Sequence, residues 1–188
     1  MMYTYELNKQ RRTIRKFKQT PISRETLEKL IDAARVCPSA ANLQPLRYKI
    51  VNDANACGAL FPHLRWAGYL PDGAPKTGEE PTAYILIVQD TSLRKTDADT
   101  DAGAAAMVMN LCAQELGFSC CWIGSFDREA VSSLYHFNDN LKPLLVLAFG
   151  YPAQKSCCVT VENQNIRYYL KSDNTLCVPK RDITDILL

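Results

Sequence analysis

A mixed fold of helices and strands, α+β or α/β with a central sheet in a three-layer arrangement, is predicted for this chain. Three observations carry the prediction. Tyr84–Gln89 and Pro143–Gly150 are near-continuous apolar runs that read as buried strands. Helical stretches alternate with them, one with a clear apolar stripe and one rich in small residues. No internal repeat or low-complexity linker interrupts the order, so residues 1–188 read as one domain. At this length a chain buries roughly two thirds of its unfolded surface and needs no staples.

The elements follow in order. Residues 4–12 hold good helix formers, and Thr13, Ile14 and Phe17 then suggest an extended exit. Ser23 is placed to cap a helix with Glu25 in its first turn. Leu27, Leu30, Ile31 and Ala34 form its apolar stripe, and it ends before Pro38. A strand is expected at about Tyr48–Val51 and a short helix over Ala54–Phe61. Residues 62–81 carry Pro62, Gly68, Pro71, Gly73, Pro75, Gly78 and Pro81, which break any regular element. A loop of that length is often a lid or a pocket wall, and Trp66 and Tyr69 lie within it.

Asp97–Leu116 is the longest expected helix, with Gly117 placed to end it. Its run Gly103–Ala106 gives a face that another helix can approach closely. Phe118–Gly124 reads as a strand, Asp127 as the cap of a short helix reaching about Phe137, and Pro143 as the first residue of the second apolar strand. Val159–Val161, Tyr168–Leu170 and Leu176–Val178 are weaker strand candidates, with Asn174 suited to a turn. The apolar tail Ile183–Leu188 is expected to pack on something.

Composition excludes more than it names. There are 22 basic and 20 acidic residues, a net charge of +2, which gives no argument for nucleic acid or an anionic membrane. No apolar stretch of about 18 residues is available to span a bilayer. The eight cysteines show no C-x-x-C and no secreted spacing pattern, so free, mostly buried thiols in a reducing cytoplasm are expected. No G-x-G-x-x-G and no H-E-x-x-H occurs, and Gly73–Gly78 has P-loop spacing but Glu79 where lysine is required. His63 and His136 stand apart from each other and from the cysteines, so no metal site is expected. Ser132 and Ser133 lack the setting of a nucleophile. A chain with neither nucleophile, metal nor triad can still be an enzyme when a cofactor carries the chemistry.

Two stretches do suggest chemistry. Arg11 to Phe17, Arg-Arg-Thr-Ile-Arg-Lys-Phe, combines guanidinium forks with a hydroxyl, the mixture a phosphate needs. Pro38–Pro45, Pro-Ser-Ala-Ala-Asn-Leu-Gln-Pro, sits between a helix and a strand and is bracketed by prolines. Its small residues let a backbone approach something flat, and Asn42 and Gln44 each donate and accept hydrogen bonds.

Together with Asp101–Ala105 and Asn110, Leu116-Gly117-Phe118, Cys121–Gly124, Leu144–Pro152 and Val178–Arg181, these stretches resemble the nitroreductase family of FMN-dependent oxidoreductases. Each motif alone is weak; the ordered set spans nearly the whole chain. The resemblance implies an α+β fold with a mainly antiparallel central sheet flanked by helices, and an intertwined homodimer with FMN at the subunit interface. It implies that Arg11, Arg12, Thr13 and Arg15 hold the cofactor phosphate and that Lys180 and Arg181, in a C-terminal extension over residues 159–188, close on it. Pro38, Ser39, Ala40, Asn42 and Gln44 would serve the partner's flavin. Trp122, Ile123 and Gly124 would lie against the ring, the last two near its reactive nitrogen. NADH or NADPH would deliver hydride, and a nitro-aromatic, quinone or similar small acceptor would take it in a ping-pong cycle. Other flavin chemistry on the same fold (dehalogenation, enoate reduction, a flavin-consuming reaction) or a non-catalytic flavin sensor are the alternatives. Thr13 stands where serine is usual in the family and keeps the hydroxyl. The chain has no room for the extra helical excursion of longer members, which leaves residues 62–81, with Trp66 and Tyr69, to line the substrate side.

Overall fold

The structure, a computed structural model, describes residues 3–188. Its helices are α1 (Thr4–Gln10), α2 (Arg24–Ala34), α3 (Ala54–Leu60), α4 (Asp99–Glu115) and α5 (Arg128–Leu134). Its strands are β1 (Phe17–Lys18), β2 (Leu46–Val51), β3 (Ala83–Asp90), β4 (Ser119–Ile123), β5 (Leu141–Pro152), β6 (Ser156–Thr160), β7 (Tyr169–Leu170) and β8 (Leu176–Lys180).

The main sheet is antiparallel throughout, β2 pairing with β3, β3 with β5, and β5 with both β4 and β1. Alternation along the strands divides the core into two layers, as a period of two requires. Ala83, Ile85 and Ile87 of β3 join Leu147 and Phe149 of β5 on one face. There they meet Leu27, Leu30 and Ala34 of α2 and Ala102, Ala105, Ala106 and Met109 of α4. Tyr84, Leu86 and Val88 point the other way, to Cys57 and Leu60 of α3 and Val131 of α5. Every residue of β3 is buried, which is why its sequence is a continuous apolar run. The small residues of α4 let it lie close against α2. The fold is therefore α+β in three layers. A separate three-stranded sheet follows, with β8 between β6, to which it runs parallel, and β7, to which it runs antiparallel.

Element ends are set by specific bonds. The Ser23 hydroxyl accepts from Thr26 N at 3.2 Å, and Asp127 Oδ1 accepts from Ala130 N at 3.0 Å. Gly117, at φ 84°, ends α4 in a Schellman motif in which Phe118 N donates to the Ala113 carbonyl. The same motif stops α5 at Leu134 rather than near Phe137, because His136 takes φ 53° and Phe137 N donates to the Ser132 carbonyl. Helix α1 ends at Gln10 rather than residue 12. Pro143 is not the first residue of its strand. β5 begins at Leu141, and Pro143 is tolerated beside a bulge, where Leu144 is skipped between the Ile87–Leu145 and Val88–Pro143 pairs. Of residues 62–81, Pro62 and His63 fall in a short 3-10 helix, Phe61–His63, and the rest hold turns and bends with one isolated bridge, Leu64 to Phe126. Ile183, Ile186, Leu187 and Leu188 of the tail are all exposed, so none of the described residues of this chain covers them.

One packing detail fixes where the basic segment runs. A Cβ placed on Gly150 would lie 2.7 Å from the Phe17 ring, so only glycine lets Phe17 sink into the sheet. Gly150→Ala is expected to lower unfolding free energy by about 1–3 kcal/mol, the usual range for overpacking. Chemical denaturation measures it, and wild-type stability in the variant would refute the account.

Candidate functional site

Phe17 directs the residues before it along β4. Thr13 forms a parallel bridge with Cys120, so Arg11, Arg12 and Arg15 fan out beside that strand. All three are half-buried. None has a carboxylate within 4.0 Å among the described residues, where the ion pairs use Lys16, Arg24, Lys29, Arg35, Arg47 and Arg94 instead. The Nε atoms of Arg11 and Arg12 are buried without a hydrogen-bond partner. Burial, and then the neighbouring Arg12 charge, hold the Arg11 pKa below its ordinary value. Desolvated cations without counter-charge are costly. An anionic group with several acceptor oxygens would satisfy them, and a phosphate fits that donor set.

The C-terminal sheet borders this cluster. Arg12 Nη1 contacts Cys158 Sγ on β6, and Cys158 pairs across to Val178 on β8, two residues before Lys180. Arg181 Nη1 donates to Gln164 Oε1 at 3.0 Å. Arg15 lies over the Tyr168 ring at 4.9 Å, and the Tyr168 ring in turn packs on Tyr69 at 4.9 Å. The fold thus brings Arg11, Arg12, Thr13 and Arg15 beside β4, and sets β8, which ends at Lys180 just before Arg181, next to the strand that Arg12 touches.

Further along β4, Trp122 is 38% exposed, whereas the Ile123 side chain is buried in the core with Val131 and Phe126. Ile123 can therefore meet a ligand through its backbone alone. Gly124 has open space where a side chain would be, and its carbonyl accepts from Arg128 at 3.1 Å. The two aromatic residues of the long loop part company. Trp66 packs against the core beside Phe61, with its indole nitrogen buried and unpartnered. Tyr69 is 48% exposed, stacked on Tyr168.

Pro38–Pro45 forms the second part. Ala41, Asn42 and Gln44 have φ of 50°, 53° and 48°, a left-handed run that non-glycine residues adopt only under constraint. The constraint is Asp101, which is 4% exposed on α4. Its Oδ2 accepts from Ser39 Oγ at 2.5 Å and its Oδ1 from Arg94 Nη1 at 3.0 Å. Ser39 Oγ in turn accepts from Gln44 N at 3.0 Å. Burial pushes the Asp101 carboxyl up, but the Ser39 and Arg94 bonds outweigh it and hold the group below the ordinary range. Pro38, Ser39, Gln44, Tyr48 and Asp101 line a cavity of about 200 Å³. Burial there raises the Tyr48 phenol to about 12. Ala40, Asn42 and Gln44 are exposed. Among the described residues, no hydrogen bond or ion pair joins Pro38–Pro45 to the arginine cluster, to β4 or to Lys180 and Arg181.

Sequence reasoning placed Asp101 in a motif without giving it a task. The signal was present: with Ala105 and Met109 it falls on the buried stripe of α4, where a carboxylate needs partners. Arg94 and Tyr168, which anchor the two halves, carried no such signal.

These features define a three-layer α+β protein with a cluster of desolvated arginines beside its central sheet. The nitroreductase family profile matches residues 9–151, and the chain belongs to that family. A protein of Archaeoglobus fulgidus with the provisional name NADH dehydrogenase/NAD(P)H nitroreductase is 30% identical, over 81% of this chain and 83% of its own. A crystal structure from Parabacteroides distasonis, under the same provisional name, is 26% identical with a TM-score of 0.71, covering 92% of this chain and 99% of that one. A provisionally named nitroreductase from Desulfovibrio desulfuricans, crystallised in complex with FMN, shares the fold at a TM-score of 0.73 and 24% identity, covering 100% of this chain and 96% of that one.

Asp101→Asn is expected to destabilise the protein by about 3 kcal/mol at neutral pH, the lower end for breaking a buried pair. Because the folded Asp101 pKa is depressed, its stabilisation is present above the unfolded value near ~3.9 and is lost as pH falls through the folded one. The gap between wild type and variant should therefore close in acid. Denaturation midpoints that stay parallel down the acid range would refute this.

Proposed function

We propose that this chain is an FMN-dependent oxidoreductase that takes hydride from NADH or NADPH and passes it to a nitro-aromatic, quinone or similar small acceptor in a ping-pong cycle. The observation that carries the reading is the set of half-buried Arg11, Arg12 and Arg15, which have no carboxylate partner among the described residues, in a chain of the nitroreductase family. When bound, FMN supplies the two-electron chemistry that the chain's own side chains lack.

Arg11, Arg12 and Arg15, with the Thr13 hydroxyl, hold the phosphate, and Lys180 and Arg181 close over it from the end of β8. Each charge-assisted bond contributes about 1.5–3 kcal/mol. The backbone at Ile123 and Gly124 would lie against the bound flavin, where an N–H can stabilise added electron density. Trp122 would lie against the ring, and Tyr69 would line the substrate side without Trp66, which packs on the core beside Phe61.

Among the described residues, no hydrogen bond joins Asn42 or Gln44 to the arginine cluster or to β4. We propose that the working unit is a homodimer in which Ser39, Ala40, Asn42 and Gln44 complete the partner's site. Asp101 then holds the strained loop in the shape the partner needs.

An absorption spectrum of the purified protein, taken without oxygen before and after NADH or NADPH, tests the function. Flavin bands that bleach are expected; a colourless protein that takes up no added FMN overturns the reading. Arg11→Ala and Arg181→Ala should each weaken FMN binding about tenfold or more, and unchanged affinity in both would remove the phosphate assignment. Mixed dimers with Asn42→Ala on one chain and Arg11→Ala on the other should retain one working site. Absence of any working site in them would count against sharing.

A further inference from the structure

The eight cysteines are all free thiols, and the flavin reading gives none of them a task. Five lie in the helical layers and the main sheet, either buried or half-buried. The other three gather in the C-terminal sheet: Cys157 and Cys158 on β6 and Cys177 on β8. Cys157 stands directly opposite Cys177 across the parallel pair, and their Sγ atoms lie 3.4 Å apart. Among the described residues no other two thiols are hydrogen-bonded to each other. Cys157 is half-buried and Cys177 fully buried, so an incoming reagent meets Cys157 first.

The surroundings suit a reversible bond. A disulfide has an S–S length of about 2.05 Å, so the sulfurs must close by about 1.3 Å. Neighbouring strands stand about 4.7–4.9 Å apart, inside the ~4.4–6.8 Å range of Cα separations that a disulfide spans. Closure therefore needs side-chain rotation rather than movement of the strands, and thiol exchange reverses the bond once it forms. The hydrogen-bonded Cys177 thiol raises the Cys157 pKa, while Lys171 and Arg12 oppose the rise. Exchange is therefore slow, and its equilibrium is the quantity to measure.

Position gives the pair its meaning. Cys158, next to Cys157, contacts Arg12 of the cationic cluster. Cys177 lies on the strand that ends at Lys180. The two thiols thus bridge the strand touching one half of the proposed phosphate clamp to the strand bearing the other half.

We propose that Cys157 and Cys177 form a dithiol site that exchanges with small soluble disulfides and couples the thiol redox state to phosphate binding by Arg12, Lys180 and Arg181. The Cys157 thiolate attacks one sulfur of the small disulfide, forms a mixed disulfide and releases one small thiolate. The Cys177 sulfur, losing its proton, then attacks Cys157 Sγ and releases the second. Two electrons pass from the cysteine pair to the small disulfide, and the two protons end on the released thiols. The coupling rests on the flavin reading; the dithiol site does not.

The full-length protein equilibrated with mixtures of reduced and oxidised glutathione, then alkylated and mapped by mass spectrometry, tests the site. FMN affinity is measured on both forms. The expected result is a Cys157–Cys177 cross-link that forms and reverses with the glutathione ratio. FMN affinity should differ between the forms by about fivefold or more, the low end of coupling between two sites. Cys157→Ser and Cys177→Ser should each abolish both responses; Cys157→Ser, at the more exposed position, guards against a variant that fails to fold. Cysteines that end as mixed disulfides or in another pairing overturn the site. A cross-link that leaves FMN affinity unchanged overturns the coupling. A cross-link in a protein that takes up FMN in neither form upholds the site and overturns the flavin reading instead.

Discussion

Strand β5 is hydrogen-bonded to β1, β3 and β4, and the placement of the arginine cluster follows from those three pairings. Its pairing with β3 builds the centre of the sheet, where side chains divide strictly between the two core layers. Its pairing with β4 sets the strand beside which the arginines lie. Its last residues hold β1, and Gly150 admits the Phe17 ring so that the preceding basic segment runs flat along β4. Cations of such long reach would otherwise turn to water. Here the backbone is held at the sheet, and the buried Nε atoms of Arg11 and Arg12 go unpartnered.

Strain enters on the other side of the sheet. A left-handed run through Ala41, Asn42 and Gln44 is unfavourable by itself. It persists because one buried carboxylate is bonded at both oxygens, to Ser39 and to Arg94. Asp101 sits in the first turn of α4, where the helix dipole also favours negative charge. The long helix of small residues therefore has two tasks: close packing on α2 and restraint of the loop.

The sheet strands and longer helices were legible in the sequence because they rest on local periodicity and on large apolar areas. Tyr84–Gln89 has no other use than a buried strand. Leu27, Leu30 and Ala34 can all be covered only by a helix. The misplaced ends have local causes of another kind. His136 takes a left-handed conformation that residue type alone does not announce, and the bulge at Leu144 lets Pro143 lie inside a strand. The apolar tail Ile183–Leu188 needs a cover that local pattern cannot name, and the described residues of this chain do not supply it.

The sequence by itself determined the three-layer mixed fold, the basic segment Arg11–Arg15, the amide-bearing stretch Pro38–Pro45 and the family to which they point. Those depend on residue type, spacing and order along the chain. Only the tertiary structure decided that Arg11, Arg12 and Arg15 lack carboxylate partners among the described residues, that the Ile123 side chain belongs to the core, and that Asp101 restrains the loop. It also brought Cys157 to Cys177, and Arg15 and Tyr69 to the same tyrosine ring. The physical reason is range. Propensity and periodicity act between near neighbours, whereas desolvation, ion pairing and thiol contact depend on which distant segments the folded sheet lays side by side.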